Sequence, residues 1–160
     1  MSMTDKPIET GVYTIIGADD VEVSTGDFSA TADIDLTRTV GSLSPAVPGE
    51  IQSFLLISTG TGAVQEPTGW VFFFDIDPNT TSGDTALQLV DRQAIIAQVE
   101  IAAADWDSDA NGATAEKFVA IPFHTIDTLF VVFRNEGAAI NDNVNDDEIL
   151  EINLWYRRDD

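Results

Sequence analysis

The sequence predicts an all-β fold, an antiparallel β-sandwich of jelly-roll type or a related β-barrel with about eight strands. Three observations predict it. Short runs rich in β-branched and aromatic residues recur along the chain, each bounded by Gly, Pro, Asn or Asp. Two segments alternate between apolar and polar residues, as a strand with one wet face does. Nowhere does a helical period persist. The 160 residues, 44% hydrophobic and 9% aromatic, suit one core that buries about 70% of the unfolded surface, which excludes wholesale disorder. Residues 1–10 read as a polar N-terminal arm and 11–160 as a single β-sandwich domain.

The elements follow in order. Residues 12–16 are the first apolar run. In 29–37, Ala30, Ala32, Ile34 and Leu36 alternate with Thr31, Asp33, Asp35 and Thr37. Residues 51–58 and 70–76 come next, the latter ended by Pro78. Residues 84–104 hold the one serious helix candidate, with Leu87, Val90, Ala94, Ala97 and Ile101 at helical spacing behind Asp84. Against it, Ile95, Ala97, Val99, Ile101 and Ala103 alternate with Ile96, Gln98 and Glu100, which favours a strand there. Residues 117–121 and 128–133 are further runs. At the end Leu150, Ile152, Leu154 and Tyr156 fall on one side, and Glu151, Asn153, Trp155 and Arg157 on the other. The unbroken apolar runs, 70–74 and 129–133, imply central strands covered on both faces or strands set against another chain.

Charge and composition exclude several functions. Twenty-eight Asp and Glu against seven Lys and Arg give a net charge of -21, which repels nucleic acid and anionic lipid. Without cysteine there is no disulfide framework, thiolate nucleophile or Cys-ligated metal. The start has neither the basic patch nor the apolar stretch of a secretory signal. No apolar run approaches the roughly 20 residues of a membrane helix. A soluble chain made in the cytoplasm is expected.

The sharpest local motif is Asp107-Ser108-Asp109-Ala110-Asn111-Gly112, with oxygen donors at alternate positions and then glycine, as in the first half of a calcium loop. The bidentate Glu of an EF-hand is missing, since Phe118 holds that place. Calcium on Asp107, Asp109 and Asn111, with Asp105 or Glu116 recruited, stands beside the simpler reading of a hairpin turn. Asp75 and Asp77 would share a strand face, and residues 141–148 form an acidic stretch; both read first as solvated polar edges. His124 is the lone histidine, too few for the common imidazole metal sites or an identifiable triad. No nucleotide-binding glycine motif occurs. Trp70 reads as core, whereas Trp106 borders the acidic loop. Trp155 shares a strand face with Arg157; with Arg158 and Arg134 it is a candidate partner-binding patch.

Missing catalytic groups, many apolar strands and a high charge that keeps copies soluble before assembly point to a non-enzymatic structural protein. The whole-chain character and the segment 147–160, DEILEINLWYRRDD, resemble bacteriophage capsid decoration (cement) or minor virion proteins. The resemblance implies a β-sandwich, often a homotrimer, that docks on the major capsid protein or another large assembly at the virion exterior. The alternative is a calcium-dependent carbohydrate-binding module in which Asp107, Asp109 and Asn111 hold the ion and Trp106 stacks the sugar. A carboxylate glycosidase or cupin-like enzyme is the remaining reading, which a lone histidine disfavours.

Overall fold

A computed structural model describes residues 7–36, 48–60, 66–124, 127–141 and 147–158. Nine strands are found among them: β1 Ile8–Ile16, β2 Ala32–Asp35, β3 Gly49–Thr59, β4 Gly69–Phe74, β5 Ile95–Ile101, β6 Trp106–Asp109, β7 Gly112–Phe123, β8 Thr128–Asn135 and β9 Ile149–Arg158. They form a five-stranded sheet, order β1-β9-β3-β7-β6, and a four-stranded sheet, order β2-β8-β4-β5, with all pairings antiparallel. With β6 set aside, successive strands alternate between the sheets except β4 and β5, which are neighbours in the four-stranded one, the double Greek key of a jelly roll. β6 is the extra strand, a hairpin appended to β7 where the sequence suggested only a loop. No helix among the described residues is long and apolar enough to cross a membrane.

Alternation builds the core between the sheets. Phe54 and Leu56 of β3, Ile152, Leu154 and Tyr156 of β9, and Ala113, Ala115 and Phe123 of β7 face Val71 and Phe73 of β4 and Leu129, Val131 and Phe133 of β8. The Phe54 and Phe73 rings meet across the layers at 5.6 Å. Tyr156 buries its ring but keeps its hydroxyl bonded, donating to the Leu36 carbonyl at 3.0 Å. In β2 only Ala32 and Ile34 turn inward, while Asp33 and Asp35 stay wet. β1 begins at Ile8 and pairs Ile8 with Tyr156. Thus Ile8, Glu9 and Thr10, read from the sequence as the end of an arm, are sheet residues; residues 1–6 lie outside the described set.

The unbroken apolar runs have a separate cause. The outer face of the four-stranded sheet is sealed by the chain itself: Phe28, Leu87 and Ala94 pack on Phe72, Phe74 and Val132 in a second, smaller cluster. Phe28 is held there by its backbone N–H to the Asp84 carbonyl at 2.7 Å. Its ring stands 5.9 Å from Phe72, and the Arg134 guanidinium lies 5.6 Å above it. The helix candidate resolves into one short turn, α1 Leu89–Gln93, followed by β5. β4 stops at Phe74 instead of running to residue 76, so Asp75 and Asp77 lie beyond the strand and Pro78 is not what ends it.

A polar clasp holds the base of the loop before β9. The buried Glu148 and Asn141 bond reciprocally: Asn141 N–H donates to Glu148 Oε2 at 2.9 Å, and Glu148 N–H donates to Asn141 Oδ1 at 2.8 Å. Asn141 sits at φ 55°, a left-handed conformation that asparagine tolerates well. Its Nδ2 reaches the Gly17 carbonyl at 2.8 Å. Glu148→Ala strands a buried N–H and is expected to cost about 1–3 kcal/mol in urea unfolding; a loss below about 0.5 kcal/mol, the range of ordinary surface changes, would deny the clasp its role.

Candidate functional site

The outer face of the five-stranded sheet, unlike that of its partner, stays open among the described residues. Register sets its rows. Trp155 of β9 stands opposite Glu9 of β1 on one side and Ser53 of β3 on the other, and Ser53 in turn stands opposite Phe118 of β7. The next row runs Val12, Asn153, Leu55 and Glu116. A small Ser53 between two large aromatic neighbours leaves a hollow of about 420 Å³, lined also by Pro7, Gln52, Leu55 and Glu116. Phe118 is 81% exposed and Val12 52%, while Trp155 is half-buried.

Local sequence dictates this placement. In β7 the core positions are Ala113, Ala115, Ile121 and Phe123, which puts Phe118 with Glu116 and Ala120 on the opposite face. Reading 117–121 as one apolar run concealed this, although the phase of the flanking alanines carried the signal. A register shift between Ile51 and Ser53 sets Gln52 beside Arg157. The Gln52 side-chain oxygen accepts from Arg157 Nε at 2.6 Å and Nη2 at 3.2 Å. Asn153 Nδ2 donates to Glu9 Oε1 at 2.7 Å, so the polar rim is ordered around an apolar centre.

The predicted patch is therefore divided. Trp155 and Arg157 share the outer face. Arg158 turns the other way, its Nε donating to the Leu36 carbonyl at 3.0 Å and its guanidinium 5.5 Å over the Phe123 ring. Arg134 belongs to the opposite sheet, where it pairs with Glu136 at 3.1 Å. The four do not cluster: Arg158 is adjacent to Arg157 on one strand and so points to the opposite face, and Arg134 lies in the other sheet.

Asp107, Asp109 and Asn111 lie in the β6–β7 hairpin. Asp107 stands opposite Thr114 and Asp109 opposite Gly112, and the Asn111 N–H donates to Asp109 Oδ1 at 2.7 Å, an Asx turn. A Cβ on Gly112 would sit 2.8 Å from the Ser58 carbonyl oxygen, so the tight approach of the hairpin to β3 uses glycine. Asp105 is engaged elsewhere: Lys117 Nζ lies 2.8 Å from it and the Ala102 N–H donates to it at 2.7 Å. The lysine's hydrogen bond, then the backbone one, hold its carboxyl below the ordinary value. No group of three His, Cys, Asp or Glu among the described residues is placed to hold a metal ion.

Trp106 is buried, with its Nε1 donating to the Pro67 carbonyl at 2.7 Å. That corrects its reading as a sugar platform; the large inward side chain finds a partner for its polar atom within the fold. Trp70 packs against the Phe72 cluster, and His124 is exposed just past β7. Residues 142–146 of the acidic stretch lie outside the described set.

Desolvation first, and the Asp77 charge second, raise the Asp33 carboxyl above its ordinary value. Its folded form thus holds a proton more readily than its unfolded form, so this group favours folding as pH falls and opposes it as pH rises. Asp33→Asn should raise the melting temperature at pH 7, with the gain over wild type shrinking as pH drops through the carboxylate range. A gain constant from pH 7 to 3 would refute that origin.

No family model matches the chain, and no curated protein matches it. Among solved structures it is similar to a chain of tomato aspermy virus, at 10% identity over 100% of this chain and 82% of that one, with a TM-score of 0.36. It is similar also to a chain of the heated full particle of Israeli acute paralysis virus, at 8% identity, 94% and 71% coverage and a TM-score of 0.35. A third is from deformed wing virus, a honeybee pathogen, at 12% identity, 99% and 48% coverage and a TM-score of 0.33. Superpositions this loose carry nothing about activity, and the jelly-roll assignment rests on the strand order alone.

Proposed function

We propose that this chain is a structural virion protein of the decoration or cement kind, without enzymatic activity, which forms a homo-oligomer and docks on the outside of a capsid shell through the open face of its five-stranded sheet. The observation that supports this is the asymmetry of the two faces. One sheet is sealed by its own loops, while the other presents Phe118, Trp155, Leu55 and Val12 to solvent. Large apolar groups grouped in this way gain about 25 cal/mol per Å² when a partner covers them. The chain's net charge of -21 keeps free copies apart and suits a surface that faces water after docking. The jelly roll itself serves capsids, lectins and enzymes alike, so the site and not the fold bears the reading.

The homotrimer is the oligomer expected on this reading. Gradient fractionation of the native source tests the whole: the chain should sediment with particles and remain with them through washing. Recovery solely in the free protein fraction would overturn it. One observation favours a carbohydrate-binding module instead, since Trp155 and Phe118 flank Ser53 with Gln52 and Glu116 close by, an aromatic and polar mixture that suits a sugar ring. Glycan binding without particle association would select that alternative.

A further inference from the structure

The four sheet edges differ in a way that bears on self-association. Edge strands offer unpaired backbone groups and are usually blunted by shortness, charge or bulges. β2 is four residues long with Asp33 and Asp35 outward, and β6 is four residues long with Asp107 and Asp109. β1 is longer, but its register breaks twice and Gly11 bends it at φ 87°. β5 has little of this protection. It runs seven residues, IIAQVEI, with neither Pro nor Lys and with Glu100 as its one charge. Its single irregularity falls at its first residues, beside Phe74. Ile95, Ile96, Ala97 and Val99 stay half-exposed, and among the described residues no strand pairs with its outer side.

We infer that the free edge of β5 pairs antiparallel with β5 of a second copy of this chain, about a two-fold axis at Gln98, joining the two four-stranded sheets into one of eight. Self-complementarity carries the choice of partner. In that register Gln98 meets the partner's Gln98, Ala97 meets the partner's Val99, and Ile95 meets the partner's Ile101. Glu100 falls opposite the partner's Ile96, four positions from the partner's Glu100, or about 13 Å at strand rise. That exceeds the roughly 8 Å screening length of physiological salt, so the two carboxylates hardly repel. Pairing with β2 or β6 would instead set Glu100 beside a strand bearing two carboxylates. The contact uses the same strand on both copies, so it closes as a pair and does not propagate into fibres. It deepens the proposed structural role, putting a two-fold pair in place of the three-fold oligomer named there, and rests on that reading only in needing a chain that assembles with itself.

The absence of native cysteine makes the test clean. Gln98 is exposed on the outer face, so Gln98→Cys should fold as wild type by circular dichroism. Under mild oxidation it should form a covalent pair at least about tenfold faster than Glu100→Cys or Thr114→Cys, since directly opposite Cβ atoms lie about 4.5–5.5 Å apart. Gln98→Lys and Gln98→Glu should each shift the wild-type pair toward single copies in sedimentation, and mixing the two variants should restore pairing. Equal cross-linking at all three cysteine positions, or no recovery on mixing, overturns the inference. A cross-link that forms while particle association fails removes the docking reading alone; particle association without the cross-link removes this one alone.

Discussion

Trp155→Ala is expected to weaken particle association by roughly 30-fold or more, the equivalent of about 2 kcal/mol for truncating an aromatic anchor at the centre of an interface. Trp155 and Phe118 flank Ser53 across three adjacent strands, so they would grip one partner feature together. Phe118→Ala alone should cost less, because its ring is 81% exposed and lacks a wall on its far side. The double variant should lose less than the two single losses predict, since neighbours sharing a partner are not additive. Neither change touches the core, and circular dichroism and melting should stay close to wild type. Co-sedimentation with particles over a dilution series gives the measurement. Undiminished association of the double variant would move the docking surface elsewhere.

Phe73→Ala is expected to destabilise the fold by about 3–5 kcal/mol, a large part of the 5–15 kcal/mol typical of a whole domain. Phe73 is fully buried and meets Phe54 of the facing sheet at 5.6 Å, so its removal opens a void between layers pinned by their own hydrogen bonds. Phe72, its sequence neighbour, points the opposite way into the smaller cluster under Phe28 and Leu87. There the cover is loop and can settle, so Phe72→Ala should cost less. Urea unfolding of both variants settles the comparison. Equal losses would mean that the two clusters are equally rigid.

The same adjacency shows how far the sequence could be read. Eight runs found by period and punctuation correspond to the eight jelly-roll strands, because half-buried strands must alternate and β-branched residues fill them. β6 escaped notice since Trp106-Asp107-Ser108-Asp109 has one apolar residue and looks like turn material; only its pairing with residues 112–115 makes it a strand. Run 70–74 fits either cover on both faces or a face set against another chain, and what decides for the first, Phe28 and Leu87 from distant loops, is tertiary information. Alternation along one strand is enough to put Trp155 and Arg157 on a common face. The placement of Phe118 beside Trp155 and of Arg134 on the other sheet depends on register and pairing between strands that no single segment encodes, whereas the opposite facing of Arg158 is legible in the alternation of β9 itself. The Asn141–Glu148 clasp was likewise hidden in an acidic stretch that composition alone makes look solvated.

The position of β9 between β1 and β3 bears on how the chain is made. A ribosome delivers β1 and β3 early, yet they do not pair with one another and must wait for the strand that joins them. Until that segment leaves the exit tunnel the larger sheet has a gap between β1 and the other three strands, and the nascent chain holds unzipped, sticky ribbons. Completion is thus a late, long-range step of the slow kind expected for such topologies, and mutual repulsion between acidic nascent chains on one message guards the interval.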